Sequence, residues 1–126
     1  MGKIAVLAAL LLLYTGYSAL VYTKGTEHTT NVSEKVQQQI SSGKQVYQQY
    51  NCVACHQIYG LGGYLGPDLT TAYSDKKRGE AYLRAILVSG GSRMPNFHLT
   101  PDQIDALISY LQYVDATATP VKSAYQ

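Results

Sequence analysis

The amino-terminal part of the chain is one long apolar run. Residues 4–23 contain no Asp, Glu, Lys or Arg. At a rise of about 1.5 Å per residue, such a run forms a helix about 30 Å long, which matches the hydrocarbon thickness of a bilayer. A secretory signal peptide has the same basic-then-apolar order, but its apolar core is only about 7–15 residues long and ends in a small-residue cleavage site. No clear A-x-A triplet follows here, so we predict an uncleaved membrane anchor over residues 1–23.

The next stretch is mostly polar. Residues 24–42 contain Val36 and Ile40 as an isolated i, i+4 pair, which predicts a linker with a short helix. Residues 43–50 then place three apolar side chains on one side of a helix that leads directly into Cys52, namely Val46, Tyr47 and Tyr50.

The middle of the chain combines a glycine-rich segment with a short periodic one. Residues 60–69 (GLGGYLGPDL) predict a loop because glycine disfavours regular structure. Residues 79–88 carry apolar side chains at helical spacing, and Gly90 with Gly91 predicts the end of that helix.

The last helix has the clearest boundaries. Thr100 is a candidate N-cap, Pro101 suits the first helical position, and Gln103 completes a capping box. One apolar stripe follows, made of Ile104, Leu107, Ile108, Leu111 and Val114. No alternating segment of strand length occurs. We therefore predict an all-α domain over residues 43–115 and a tail over residues 116–126.

Composition excludes two broad classes of function. The formal net charge of +2 creates no field strong enough to attract nucleic acid. A hydrophobic fraction of 46%, with 12 tyrosines, is unlike a disordered chain. A helical domain of this small size is often only marginally stable with a hydrophobic core alone. We therefore expect a covalent link or a bound metal group that stabilises it further.

The candidate for this stabilising group is the segment Cys52-Val53-Ala54-Cys55-His56. Its C-x-x-C-H pattern is the one used for covalent attachment of c-type haem. Two thiols three residues apart on a helical turn point the same way, so each can form a thioether to one macrocycle while His56 ligates the iron. We predict one covalently bound haem c.

Two other uses of the cysteines fit the sequence less well. A structural zinc module needs four ligands, and beyond Cys52 and Cys55 the chain offers only three histidines, His28, His56 and His98, without a second close pair. A thioredoxin-like dithiol needs a strand before the motif and a βαβ setting, and the sequence shows neither.

An electron-transfer haem needs a sixth ligand, and methionine is a common one. Met1 lies at the far end of the apolar run, which leaves Met94, followed by Pro95. His98 is the rival ligand and would give a bis-histidine haem of lower potential.

These residues together resemble class I monohaem cytochromes c. The matching features are Gly43 followed by Tyr47, the CVACH motif, Gly66-Pro67, Met94-Pro95 and Tyr110-Leu111. In that family the first and last helices cross at a glycine and an aromatic residue. The resemblance also implies that the Pro67 carbonyl accepts the ring N–H of His56 and orients the ligand.

A longer resemblance is to the cytochrome c subunits of bacterial respiratory nitric oxide reductases. NCVACHQIYGLGGYLGPDL, MPNFHLTPDQIDALISYLQYV and the single anchor carry it over most of residues 1–115. It implies a non-catalytic subunit that passes electrons from a soluble periplasmic cytochrome c or cupredoxin to haem b of a large membrane subunit, which converts two NO to nitrous oxide and water. It also implies a single pass through the bacterial cytoplasmic membrane, with the amino terminus in the cytoplasm and the haem domain on the periplasmic face.

This chain departs from that family at several positions, so the identity of its catalytic partner has an alternative. Many members read Glu-Gly-Ala-Tyr-Phe-Ala-Pro-Glu where this chain has Leu61 to Asp68, and the tail after Asp115 also differs. Haem–copper oxidases also recruit anchored cytochromes c, so the alternative is a subunit or donor of an oxygen reductase.

The surroundings of the expected haem contain further candidates. Tyr64, Ser92 and Arg93 flank it and are candidate hydrogen-bond donors to its propionates. The only basic run, Lys76-Lys77-Arg78, is either a docking patch for an acidic donor or a solvated loop.

Overall fold

The computed structural model describes residues 2–24 and 32–122. The chain divides into two compact units, Met1–Asn31 and Val32–Gln126. His28, one of the three histidines available to a zinc site, lies outside the described residues.

The first unit contains one helix, α1, which spans Gly2–Lys24. None of its residues is buried. Thr15 and Thr23 donate their hydroxyls to the carbonyls of Leu11 and Ala19, at 2.8 and 2.6 Å, which satisfies these polar groups within the helix. By length and composition α1 is apolar enough to cross a membrane, and a signal sequence near an amino terminus shares these two properties.

The second unit is helical, as the sequence predicts. Its α-helices are α2 (Glu34–Gln49), α3 (Gly79–Ser89) and α4 (Pro101–Lys122), and a 3₁₀ turn spans Cys52–Ala54. The segment predicted as a loop also contributes a minimal hairpin, in which β1 (Gln57–Ile58) pairs antiparallel with β2 (Leu61–Gly62). Tyr59 and Gly60 turn the hairpin with φ of 54° and 75°, the positive values that two-residue hairpin turns favour.

Two helices of this unit run across residues 43 and 115, the expected bounds of the domain. The short linker helix and the helix expected from residue 43 form one continuous helix, α2, and Ile40 is buried on it. α4 continues past Asp115 to Lys122, and Ala118 is only 1% exposed. Polar composition made the linker look separate, and the tail was set apart because it differs from the resembled family. Each segment nevertheless buries an apolar residue.

The core lies along α4. Its predicted stripe is buried, and no member is more than 6% exposed. Two clusters share this helix: the first contains Leu83, Ile104, Ile108 and Leu111, and the second contains Val46, Tyr47 and Leu107. The capping box is confirmed, because the Thr100 N–H donates to Gln103 Oε1 at 3.0 Å and the Gln103 N–H donates to Thr100 Oγ1 at 3.3 Å.

Polar contacts fix the loop after the hairpin and the helix α3 against α4. The Ser74 N–H donates to the buried Asp115 carboxylate at 2.8 Å. Arg84 of α3 pairs with Glu80 at 2.8 Å and reaches Asp105 of α4 at 2.6 Å. The loop, α3 and α4 each contribute other residues to the wall of one cavity.

Candidate cofactor site

A cavity of about 670 Å³ lies in the second unit. Helices α2, α3 and α4 and the loops around residues 65–72 and 91–97 line it. The four residues predicted to attach and ligate haem, Cys52, Cys55, His56 and Met94, all lie on its wall. Its volume is within the range of about 300–1,000 Å³ that is usual for cofactor sites.

The 3₁₀ turn brings the two thiols and the imidazole together. Asn51 adopts a left-handed conformation, with φ of 52°, and ends the run of α2. The N–H groups of Cys55 and His56 then both donate to the Cys52 carbonyl, at 3.2 and 2.9 Å. No disulfide joins the cysteines; Cys52 is half-buried and Cys55 is exposed. Burial raises the pKa of the Cys52 thiol.

His56 is held in one orientation. Its Nδ1–H donates to the Pro67 carbonyl oxygen at 2.8 Å, as the resemblance implied. Because a carbonyl only accepts, this bond assigns the proton to Nδ1 and leaves Nε2 with a free lone pair. The imidazole is therefore set to ligate a metal through Nε2.

The glycine-rich segment lies directly against the haem-attachment motif. A Cβ on Gly66 would lie 2.4 Å from His56 Cε1, and one on Gly63 would lie 1.9 Å from the Ala54 carbonyl oxygen. The Gly66 N–H donates to the Cys55 carbonyl at 2.8 Å. The sequence predicted only a loop here. The structure shows that Gly66 allows backbone to pack on the imidazole and that Gly63 allows backbone to pack on the main chain of the motif.

Of the two rival sixth ligands, only Met94 reaches the cavity. The Gly91 N–H donates to the Met94 carbonyl at 2.7 Å and closes a turn that presents the methionine. His98 is exposed, has a φ of 52° and does not line the cavity. Its own N–H donates to Asn96 Oδ1 at 2.8 Å.

Of the three residues expected to contact the haem propionates, two lie on the cavity wall. Ser92 and Arg93 line the cavity. Tyr64 does not, and its side chain is 85% exposed. Sequence reasoning missed Arg78 as a site residue: it lines the cavity and pairs with Asp75 at 3.1 Å. In the sequence Arg78 belongs to the basic run, which predicts only a docking patch or a solvated loop.

The donor set fits a haem. Apolar and aromatic side chains form most of the wall, and the cationic groups on it are the guanidiniums of Arg78 and Arg93. An apolar macrocycle with two carboxylates needs this combination. Among residues 2–24 and 32–122, no group of three His, Cys, Asp or Glu side chains is placed to hold a metal ion, so a zinc module gains no support. Haem, when bound, supplies a one-electron iron couple.

Sequence comparisons agree with this chemistry. The family model described as cytochrome C oxidase, cbb3-type, subunit III matches residues 38–111. The C subunit of a nitric oxide reductase from Stutzerimonas stutzeri is 28% identical, with 79% of this chain and 79% of the relative covered. The proteins of the same name from Halomonas halodenitrificans and Cereibacter sphaeroides are each 26% identical, and this chain covers 63% and 60% of their lengths.

Proposed function

The chain belongs to the cytochrome c family of the cbb3-type subunit III and is therefore an electron carrier, and on this premise we propose that it is the electron-input subunit of a respiratory nitric oxide reductase. It would receive electrons from a soluble periplasmic cytochrome c or cupredoxin and deliver them to haem b of a large catalytic membrane subunit.

One observation carries the proposal. Both thiols, the Pro67-oriented His56 and Met94 lie on the wall of one cavity. In the proposed site Cys52 and Cys55 would form the thioethers, and His56 and Met94 would hold the iron. With both of these residues bound, the iron would have no open position for NO or O₂. The chain is then a relay without substrate chemistry of its own.

Helix α1 is the proposed anchor. It crosses the bacterial cytoplasmic membrane once, with the amino terminus in the cytoplasm and the haem domain at the periplasmic face. Confinement to the membrane raises the effective concentration of the haem domain near its partner.

Two preparations test this function. The intact chain and a version beginning at Thr26 should both be reduced by a soluble donor. Only the intact chain should sustain NO reduction when combined with the membrane partner. Equal turnover by the shorter version removes the role of the anchor, and NO turnover by the isolated chain rules out a relay.

A second candidate function is supported by the family description itself. An anchored cytochrome c subunit or donor of a haem–copper oxygen reductase would use the same site. Purification from the native membrane distinguishes the two candidates. A partner with haem b and non-haem iron identifies nitric oxide reductase, whereas a partner with copper identifies an oxygen reductase.

A further inference from the structure

Backbone contacts fix the chain on the amino-terminal side of Met94. Gly90 caps α3 with a φ of 73°, and a Cβ on this glycine would lie 2.8 Å from the Met94 carbonyl oxygen. The Gly91 N–H donates to the same oxygen at 2.7 Å. The course of the backbone from α3 to Met94 is therefore set by this tight turn.

The chain on the carboxyl-terminal side of Met94 depends on side chains instead. In the described part of the chain, no backbone hydrogen bond ties residues 95–99 to another segment. Phe97 and Leu99 are half-buried there, and the other three side chains are exposed. Leu99 packs against both core clusters. Phe97 is therefore the nearest side chain after Met94 that holds this stretch against the rest of the domain.

Phe97 contacts Tyr50, which follows the last residue of α2. Their ring centroids lie 5.6 Å apart with the planes at 69°, the edge-to-face arrangement that aromatic pairs favour. The Tyr50 N–H donates to the Val46 carbonyl at 3.0 Å, and its side chain packs against the cluster of Val46, Tyr47 and Leu107. The Phe97 ring therefore rests on a side chain that the core already holds in place.

The two rings differ in their position relative to the cavity. Phe97 lines the cavity, three residues after Met94, whereas Tyr50 does not line it. Tyr50 also precedes Cys52 by only two residues. The ring pair therefore connects the segment of the cysteine motif with the segment of Met94. Tyr50 stands behind the cavity wall and acts on its contents only through Phe97.

The ring of Tyr50, and not its hydroxyl, makes this contact. Gln103 Nε2 approaches the hydroxyl at 3.5 Å, which is longer than the usual range of about 2.7–3.2 Å for a hydrogen bond from nitrogen to oxygen. Tyr50→Phe therefore keeps the contact with Phe97, and Tyr50→Leu removes it.

The contact matters most when the iron is ferric. Methionine ligation raises the reduction potential, so the thioether sulfur binds ferrous iron more tightly than ferric iron. A segment that moves away from the cavity therefore loses its bond to ferric iron first.

We propose that Tyr50 is a positioning residue for Met94. Through the ring of Phe97 it holds the Met94 segment against the cavity and protects the bond between sulfur and ferric iron from displacement. This inference rests on the proposed function for a haem whose iron Met94 ligates.

The test is displacement of Met94 by added imidazole in the ferric, haem-loaded, full-length chain at fixed pH. Loss of the far-red absorption band of methionine ligation follows the displacement. Imidazole binds only the fraction of molecules in which Met94 is released, so its apparent affinity rises with that fraction. The variants are Tyr50→Leu, Phe97→Leu and their combination, and Tyr50→Phe is the conservative variant.

The matched control is Tyr110→Leu. It removes a different ring pair, in which the centroids of Tyr47 and Tyr110 lie 5.7 Å apart, at a residue that does not line the cavity. Denaturant unfolding of every variant records how much global stability each substitution costs. The control thus separates loss of stability from release of Met94.

We expect Tyr50→Leu and Phe97→Leu each to tighten imidazole binding about tenfold, which corresponds to about 1.4 kcal/mol. The combination should bind within about twofold of the stronger single variant, because both substitutions remove one contact. Tyr50→Phe should stay within about twofold of the wild type, since the ring is kept. Tyr110→Leu should lower the free energy of unfolding and leave the imidazole affinity unchanged.

Three results overturn the proposal: an unchanged affinity in Tyr50→Leu, effects of the two substitutions that multiply in the combination, or an equal change in Tyr110→Leu. Tyr50→Met, which keeps a large apolar side chain without a ring, replaces Tyr50→Leu if that variant loads no haem. A wild-type ferric spectrum without the far-red band removes Met94 as a ligand and the proposal with it. NO turnover by the wild-type complex judges the electron-input role separately.

Discussion

Gly43 of α2 lies so close to Ala106 of α4 that a Cβ on the glycine would be 2.0 Å from the Ala106 carbonyl oxygen. The two helices therefore cross backbone to backbone at this point. Beside it the rings of Tyr47 and Tyr110 pack with their centroids 5.7 Å apart. A side chain at position 43 would push apart the pair of helices that carries much of the core.

Gly43→Ala should lower the free energy of unfolding by about 1–3 kcal/mol or more, because overpacking outweighs the gain of about 1 kcal/mol in helix propensity. The measurement is denaturant unfolding of the haem-loaded chain, followed by haem absorbance. Ser41→Ala, at an exposed position of the same helix, should change it by less than about 0.5 kcal/mol. Equal stability of the Gly43→Ala variant would show that the crossing relaxes freely.

Gly66→Ala should disturb the proximal ligand rather than the core. The new Cβ would lie 2.6 Å from His56 Nδ1, the atom that donates to Pro67. We expect the ring to turn, the hydrogen bond to weaken, and the haem spectrum and midpoint potential to shift. Gly60→Asn is the control, since nothing lies near a Cβ there and Asn tolerates positive φ. An unchanged spectrum would contradict this account.

The parts of the fold that local chemistry specifies could be predicted from the sequence. The capping box at Thr100 and the apolar stripe of α4 follow from residue spacing, and both are present. Placement of His56 beside Pro67 also matched the resemblance. In each case the interacting groups are near in sequence or belong to a recognised motif.

The remaining features depend on contacts that spacing does not encode. Polar composition hid the continuity of α2. The crossing of α2 and α4 at Gly43, in contrast, is the one that the resemblance implied. Arg78 joined the site only because the loop before α3 folds back onto the cavity. Tyr64 was expected near the haem; in the structure its side chain is exposed and does not line the cavity.

Met94→His should lower the midpoint potential, because imidazole favours ferric iron more than thioether sulfur does. The same substitution should remove the far-red absorption band of methionine ligation from the ferric spectrum. His98→Ala is the matched control and should keep the band, as His98 lies outside the cavity wall. Loss of the band in His98→Ala, with its retention in Met94→His, would exchange the two assignments.

The Glu80 carboxylate should make stability depend on pH. The hydrogen bond from Arg84, followed by that from Tyr73, lowers the pKa of Glu80 below its ordinary value. A lowered folded-state pKa stabilises the protein above the unfolded pKa, and this contribution is lost as pH falls through the folded pKa.

Glu80→Gln should therefore be less stable than the wild type at pH 7, and the difference should shrink toward zero in acid. Denaturant unfolding between pH 7 and about pH 3 measures it. Lys76→Gln, at an exposed position, is the control and should follow the wild-type profile in parallel. A difference that stays constant with pH would mean that Glu80 acts through packing alone.

The hydroxyls of Tyr47 and Tyr59 differ in their hydrogen bonding, so removing each one should have a different effect on stability. The Tyr47 hydroxyl is buried and has no hydrogen-bond partner in the described part of the chain, and burial raises its pKa. The Tyr59 hydroxyl donates to the Val114 carbonyl at 3.1 Å and also contacts the Thr117 hydroxyl. A buried unpaired hydroxyl costs about 1–3 kcal/mol, whereas a made hydrogen bond contributes about 0.5–1.5 kcal/mol.

Tyr47→Phe should thus leave the free energy of unfolding unchanged or raise it by about 1 kcal/mol, and Tyr59→Phe should lower it by a similar amount. Denaturant unfolding of the haem-loaded chain measures both variants. If Tyr47→Phe lowers the free energy of unfolding by more than about 1 kcal/mol, the Tyr47 hydroxyl gains a hydrogen-bond partner once haem is bound.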